Sequence, residues 1–409
     1  MIYLNHNVSA ITLLMGTLEV THTKGRSVFA FSYNDEWLAG KYPQQLDPDL
    51  QLFSGQQYLK IEKPNFGLFL DSSPDRWGRV LMDRREALSA KAEGRKQVKL
   101  FEEDYLLGVY DQHRMGALRF KKEIDGSFLN DNGGYAVPPW TTLRELEAAS
   151  LKLETGALDE KESLQWINLL LAPGASLGGA RPKASVQDEQ ANLWIAKFPS
   201  VKDGIDMGNW EYLIHKLAVQ CGIRMSAAQA KKFNSTNHTF LTQRFDRQGQ
   251  ERIHFASAMT LLGNRDGHDG ASYLELVEFI LKSGANVGAD LEELFLRIVF
   301  SIAVKNTDDH LRNHGFLLTP KGWILSPAFD INPVYFGTGL SLNIDETDNA
   351  LDFGLARSVR PYFRLSGARA MTIIAGVINV RNGWRRLAGE MKISRQEQEL
   401  LEGAFDIFP

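Results

Sequence analysis

One cysteine in 409 residues, Cys221, leaves no partner for an intramolecular disulfide and no set of thiolates for a zinc site. Long apolar runs are lacking too. None reaches the roughly 18 residues of a membrane span, and the longest candidate, residues 294–304, is interrupted by Arg297. The opening stretch carries Val8, Ile11, Leu13, Leu14 and Met15 but neither a basic flank nor a cleavage site, so no signal peptide is expected. Neither sign of charge dominates: 46 Lys and Arg face 50 Asp and Glu, a net charge of −4, which gives no global pull toward DNA or an anionic membrane. The one basic run, residues 95–99, reads as a solvated face. Repeats, heptads and low-complexity tracts are absent. These absences predict a soluble protein of a reducing, cytoplasmic compartment with no membrane partner.

The chain is 44% hydrophobic and 23% charged, as globular proteins are, and long enough for two or three packed lobes. Its first ~130 residues alternate short β-like runs with turns, as in 27–33 (SVFAFSY). At Asp75-Arg76-Trp77-Gly78 the pattern turns helical. The turn-rich stretch 130–139 (NDNGGYAVPP) marks a boundary. Beyond it, helices are expected over 141–153 and 163–171, strands over 183–186 and 192–198, and a helix over 209–221. In that last helix Trp210, Leu213, Ile214, Leu217, Ala218 and Cys221 share one face. Another strand is expected over 239–245 (TFLTQRF). The remainder is mainly helical. Asp290 with Glu293 predicts a capped helix over 290–304, and Ser394 with Glu397 caps the last one. The reading is an α+β chain, strand-rich and then helical, divided at 1–135, 136–250 and 251–409. A cleft between lobes is where a nucleotide is expected.

The strongest chemical signal is 305–316, KNTDDHLRNHGF, between a long apolar helix and a hairpin. Asp308 and Asn313 lie five residues apart, with His310 and Arg312 between them. Phosphoryl transfer needs a carboxylate that orients or deprotonates the attacking hydroxyl and a nearby oxygen ligand for Mg²⁺, and this spacing supplies both. His310 and Arg312 would stabilise the loop or the developing phosphate charge. The hairpin's second strand runs into 326–333 (SPAFDINP), bringing Asp330 to the same loop as a second metal ligand. The segment 351–357 (LDFGLAR) imitates a kinase metal motif, but Asp352 comes 39 residues after Asn313 without a hairpin to deliver it, against 17 for Asp330. Asp352 is expected to be a surface or capping residue.

At the phosphate end, 172–183 (APGASLGGARPK) strips side chains at Gly174, Gly178 and Gly179, where backbone N–H groups would cradle phosphates. No Gly-Lys-Ser/Thr follows, so it is not a Walker loop. Lys197, in the apolar strand LWIAKFP, needs an anion if it is buried. A phosphate is the natural one, with Glu211 on the next helix as ion-pair partner. Gln243, Phe245 and the Asp246-Arg247 pair occupy, by order, the hinge where adenine would be read.

Together ASLGGARPKAS, LWIAKFP, NWEYLIHKLA, LTQRFDR, NTDDHLRNHGF and SPAFDINP resemble the HipA family of bacterial Ser/Thr kinases, and FLDSSPDRWGR is similar to a turn in that family's N-terminal domain. The resemblance runs from about residue 60 to 335 and is extended by order to the whole chain. It implies a two-lobed, protein-kinase-like fold with ATP and Mg²⁺ as cofactors. It also implies Asp308 as base, Asn313 and Asp330 as metal ligands, and Lys197 as the ATP-phosphate lysine. Gly178, Gly179, Ala180 and Lys183 would form the phosphate loop, with Ser176 as the autophosphorylated serine. Arg312 stands where Lys is usual and Gly315 where Ser is more usual, a change that points to tuning. By the same likeness the partners would be a protein of translation such as an aminoacyl-tRNA synthetase, and a HipB-like antitoxin through which DNA is mainly contacted. Growth arrest would be the outcome. The alternatives are a small-molecule or lipid phosphotransferase of kinase-like fold, and a catalytically silent nucleotide-binding scaffold for an antitoxin or DNA.

Overall fold

The β-like runs of the opening region pair into one antiparallel sheet. In the computed structural model β1 (Ile2–Val8), β2 (Ile11–Thr23), β3 (Arg26–Tyr33), β4 (Gln57–Tyr58) and β5 (Leu118–Lys121) lie in the order β4-β3-β2-β1-β5. The structure describes residues 2–8, 11–23, 25–40, 44–59, 63–129, 138–156, 159–171, 181–249, 251–267 and 270–407. The linker stretch 130–137 and most of the glycine-rich segment, with Ser176, Gly178, Gly179 and Ala180, lie outside them. One face of the sheet is aromatic: Phe31 meets Tyr33 and Phe69 edge-on or tilted, and Phe69 meets Phe120. Their burial supplies the non-directional stabilisation that closes this layer.

The chain divides into two units, 1–202 with 232–256 and 203–231 with 257–409. In the first, the helix Arg76–Ala92 starts at Asp75, whose side chain caps Gly78 N. It inserts Trp77, Leu81 and Met82 into a core shared with the helices Leu143–Thr155 and Glu160–Leu171. The same core takes Ala184 and Val186 from β6 (Lys183–Gln187), Trp194 and Ala196 from β7 (Leu193–Lys197), and Leu241 from the strand Thr239–Gln243. These three strands pair antiparallel, with β7 between the other two. The expected strand over 239–245 ends at Gln243; Arg244 N still donates to Leu193 O (2.8 Å), while the Arg244 side chain turns to His113 O and Asp246.

The second unit is mainly helical. Its helix Met207–Gln220 buries the predicted face, and Trp210 packs on Trp384 and Phe405. Cys221 caps that helix as a free thiol, and burial pushes it up to about 12. The helix expected over 290–304 starts a turn earlier, as Val287–Ala303 with Asn286 at its N-cap. Asp290 and Glu293 therefore form no capping box. Asp290 accepts Leu325 N (3.1 Å) and Arg224 Nη2 (2.7 Å), while Glu293 accepts Arg224 N (3.1 Å) and Arg297 Nη2 (2.8 Å). Tertiary donors took carboxylates that the local pattern assigned to the helix's own N–H groups. Arg297, the charge that interrupted the apolar run, also donates to Ser326 O at 2.7 Å. Among the described residues no helix is long and apolar enough to cross a membrane.

Candidate functional site

The Val287–Ala303 helix ends in a Schellman turn. Lys305 N donates to Ile302 O (3.2 Å) and Asn306 N to Ser301 O (2.9 Å), with Lys305 left-handed at φ 54°. That turn starts the loop carrying the predicted catalytic residues. Asn306 is buried and accepts Asn332 N through Oδ1 (3.1 Å), Lys305 O accepts Val334 N (3.0 Å), and Thr307 O accepts Ser341 Oγ (2.8 Å). The loop is thus laced to the segment that follows the hairpin Gly315–Thr319/Gly322–Leu325. Asp330 lies on that segment with φ 56°, a left-handed backbone uncommon outside glycine that Asp tolerates better than most side chains.

Asp308 exposes 73% of its side chain, with His310 Nε2 3.8 Å from its Oδ1. Its pKa is raised, chiefly by partial removal from water. His310 opposes the shift, and the Asp330 carboxylate adds to it. Two carboxylates predicted to converge therefore feel each other. Asn313, buried, donates through Nδ2 to Asp308 O (2.6 Å), which leaves its amide oxygen to accept or to ligate. Two carboxylates and an amide oxygen are the donor types that suit a hard divalent cation. Among the described residues there is no cluster of three or more His, Cys, Asp or Glu fit to hold a metal by themselves. Arg312 forms a two-pronged ion pair with Asp266, at 2.8 and 2.6 Å.

Sequence reasoning passed over Asp309. It is buried, accepts the Tyr273 hydroxyl through Oδ2 and Ser341 N (2.8 Å) through Oδ1, and burial raises its pKa to about 6. His314 lies behind it with Nε2 3.2 Å from Asp309 O, its pKa driven down to about 3 by burial and by the Arg297 charge. One signal was available: two adjacent aspartates on one loop, of which only one can face the solvent. Asp352 caps the helix Phe353–Val359, accepting Gly354 N at 2.5 Å. It does what a capping residue does.

The first unit carries the other candidates. Lys183 and Lys197 stand directly opposite each other across β6 and β7, and both are buried. Lys183 Nζ lies 2.7 Å from Asp75 Oδ2, and Lys197 Nζ lies 5.9 Å from the Phe240 ring centroid. Gln243 ends its strand opposite Trp194, and the Phe245 ring lies 5.8 Å from that of Phe255. Between them Arg244 donates to His113 O (2.7 Å) and pairs with Asp246 (2.7 Å), which accepts Gly116 N (2.8 Å). Burial would raise the Asp246 pKa, but Arg244 and Arg247 outweigh it and hold it at about 2. This buried node was not anticipated, although the charges of RFDR inside an apolar run pointed to it. Glu211 belongs to the second unit, buried on the Met207–Gln220 helix.

Residues 175–384, just over half of the chain, match the HipA-like C-terminal domain family. A Haemophilus influenzae protein named provisionally as a kinase is 28% identical over 182 residues, covering 38% of this chain and 52% of the relative. The chain thus spans about half the length of that relative. Among solved structures, HipA of Shewanella oneidensis, from a complex of the toxin–antitoxin pair HipA and HipB with operator DNA, superposes with a TM-score of 0.65 at 17% identity. That match covers 98% of this chain and 94% of the other, and it gives the expected α+β, protein-kinase-like architecture. On its sequence match and its fold, this chain belongs to the HipA-like family.

Proposed function

We propose that the chain is an ATP-dependent kinase that transfers the γ-phosphate to serine or threonine hydroxyls of a protein. The reading is supported by Asp308 and Asn313 on a loop pinned by buried Asn306 and Asp309, with the Asp330 carboxylate near enough to raise the Asp308 pKa. Asp308 accepts or orients the proton of the attacking hydroxyl, and its raised pKa makes it a stronger base than a free carboxylate. Asn313 and Asp330 hold Mg²⁺. When bound, that ion neutralises charge on the phosphate oxygens. His310 faces Asp308 and tunes it, while Arg312 steadies the loop through Asp266. Lys183 and Lys197, with the backbone of Gly178, Gly179 and Ala180, bind the phosphates. Gln243 and Phe245 border the adenine.

Ser176 is the autophosphorylation site in this reading. The likeness to a HipA solved with HipB and operator DNA supports a HipB-like antitoxin partner that brings the DNA contact. An aminoacyl-tRNA synthetase is the protein substrate, growth arrest is the consequence, and the cytoplasm is the place of action. The test is the intact mass of the dephosphorylated protein after incubation with Mg·ATP, beside Asp308→Ala. One added phosphate in the wild type alone, mapped to Ser176, supports the reading. Label that goes to a small molecule, or ATP binding without transfer to any protein, overturns it.

A further inference from the structure

An acid from the N-terminal region reaches the paired lysines. Asp75 accepts Gly78 N through Oδ1 (2.9 Å), and its Oδ2 lies 2.7 Å from Lys183 Nζ, both side chains being 5% exposed or less. The carboxylate caps its helix and neutralises a lysine at once. Lys183 is Lys197's direct cross-strand neighbour, so the two side chains leave the same face of the sheet. Like charges opposite each other repel, and a buried ammonium without an acid is costly. The position of Asp75 is over-determined. Trp77 and Leu81, on the helix it caps, share a core with Ala184 and Ala196, which flank the two lysines in sequence. The turn before Asp75 is held by Ser73 Oγ on Phe69 O (2.8 Å) and by buried Arg114 on Ser72 O (2.9 Å).

We infer that Asp75 is a positioning residue for nucleotide binding, fixing the Lys183 side chain beside Lys197 where a triphosphate is gripped. The inference rests on the kinase reading, because it takes these lysines as phosphate ligands. It makes the turn SSPDRWGR part of the nucleotide machinery although no atom of Asp75 need touch ATP.

The test uses the full chain, with Mg·ATP binding by calorimetry, the kcat and KM for ATP, and thermal melting. Asp75→Asn keeps an N-cap acceptor but leaves the Lys183 ammonium buried without its acid, so it should melt lower than wild type, and D75N/K183Q should recover much of that loss. It should also weaken ATP binding and raise KM roughly tenfold or more, with kcat at saturation little changed. Asp75→Glu should recover most of the affinity. Lys183→Gln should match the loss, and the D75N/K183Q double variant should bind as K183Q does, because Asp75 acts only through that lysine. If D75N fails to fold, the double variant, with both groups neutral, decides: binding equal to K183Q supports the inference, and a further loss overturns it. Wild-type affinity in D75N, or no recovery in D75E, overturns the inference alone when Lys197→Met has lost ATP. If K197M also binds as wild type does, the phosphate reading of the lysines fails and this inference falls with it.

Discussion

The two units present charge in opposite ways. In the second, Asp308 stands 73% exposed on a loop whose neighbours Asn306 and Asp309 are buried anchors. In the first, the charged groups themselves are buried, with Lys183 and Lys197 at 4% and 8% exposure. A base must meet an incoming hydroxyl and exchange a proton with it, so it needs access and a rigid footing. A phosphate-binding cation gains from low dielectric, where its field is less screened, but must then be kept ionised by a fixed acid. Exposure suits proton transfer. Burial suits electrostatic grip.

The contrast breaks most sharply at Asp308. Asp308→Ala should lower phosphotransfer by about 10²- to 10⁴-fold while ATP binding by calorimetry stays near wild type. Lys197→Met should do the reverse, raising the ATP dissociation constant with a smaller change in kcat. Equal loss of both quantities in both variants would erase the distinction.

The footing of each unit can be tested next. Tyr273→Phe removes the hydroxyl that Asp309 accepts and should cost about 1–3 kcal/mol, read from chemical denaturation. Asp246 gives a pH signature. Its folded pKa, about 2, lies below the ordinary 3.8, so the folded state binds the proton more weakly than the unfolded one. Its contribution, on the order of 2 kcal/mol, is present above about pH 4 and lost as pH falls toward about 2. Asp246→Asn should flatten that part of the stability profile. The smallest effect is expected at Asp352: Asp352→Ala should cost about 1 kcal/mol as a lost cap and leave phosphotransfer unchanged, whereas Asp330→Ala should abolish it. Loss of transfer in D352A would exchange the roles given to these two aspartates.

Much of this was legible along the chain because it depends on local order. The apolar stripe of the Met207–Gln220 helix, the hairpin Gly315–Thr319/Gly322–Leu325 and the proximity of Asp330 to Asp308 follow from periodicity and spacing. Asp352, expected as a surface or capping residue, caps the helix Phe353–Val359. The Asp290–Glu293 pair shows where such reasoning stops. Its spacing fits a capping box equally well, but Asp290 serves Leu325 and Arg224 from elsewhere in the chain, and Glu293 serves Arg224 and, one turn on, Arg297.

What the chain settles without its three-dimensional form is spacing: a carboxylate and an amide five residues apart, a second carboxylate one hairpin further on, and a lysine in an apolar run. Spacing of this kind acts once the local helix and hairpin form, because their periodicity fixes which side chains share a face. Folding chose the partners. It assigned Asp75 to Lys183 from more than a hundred residues away, Asp309 to Tyr273, and Arg244 to His113 and Asp246. A buried charge must find its complement wherever the shared core brings one, and no short-range pattern records where that will be.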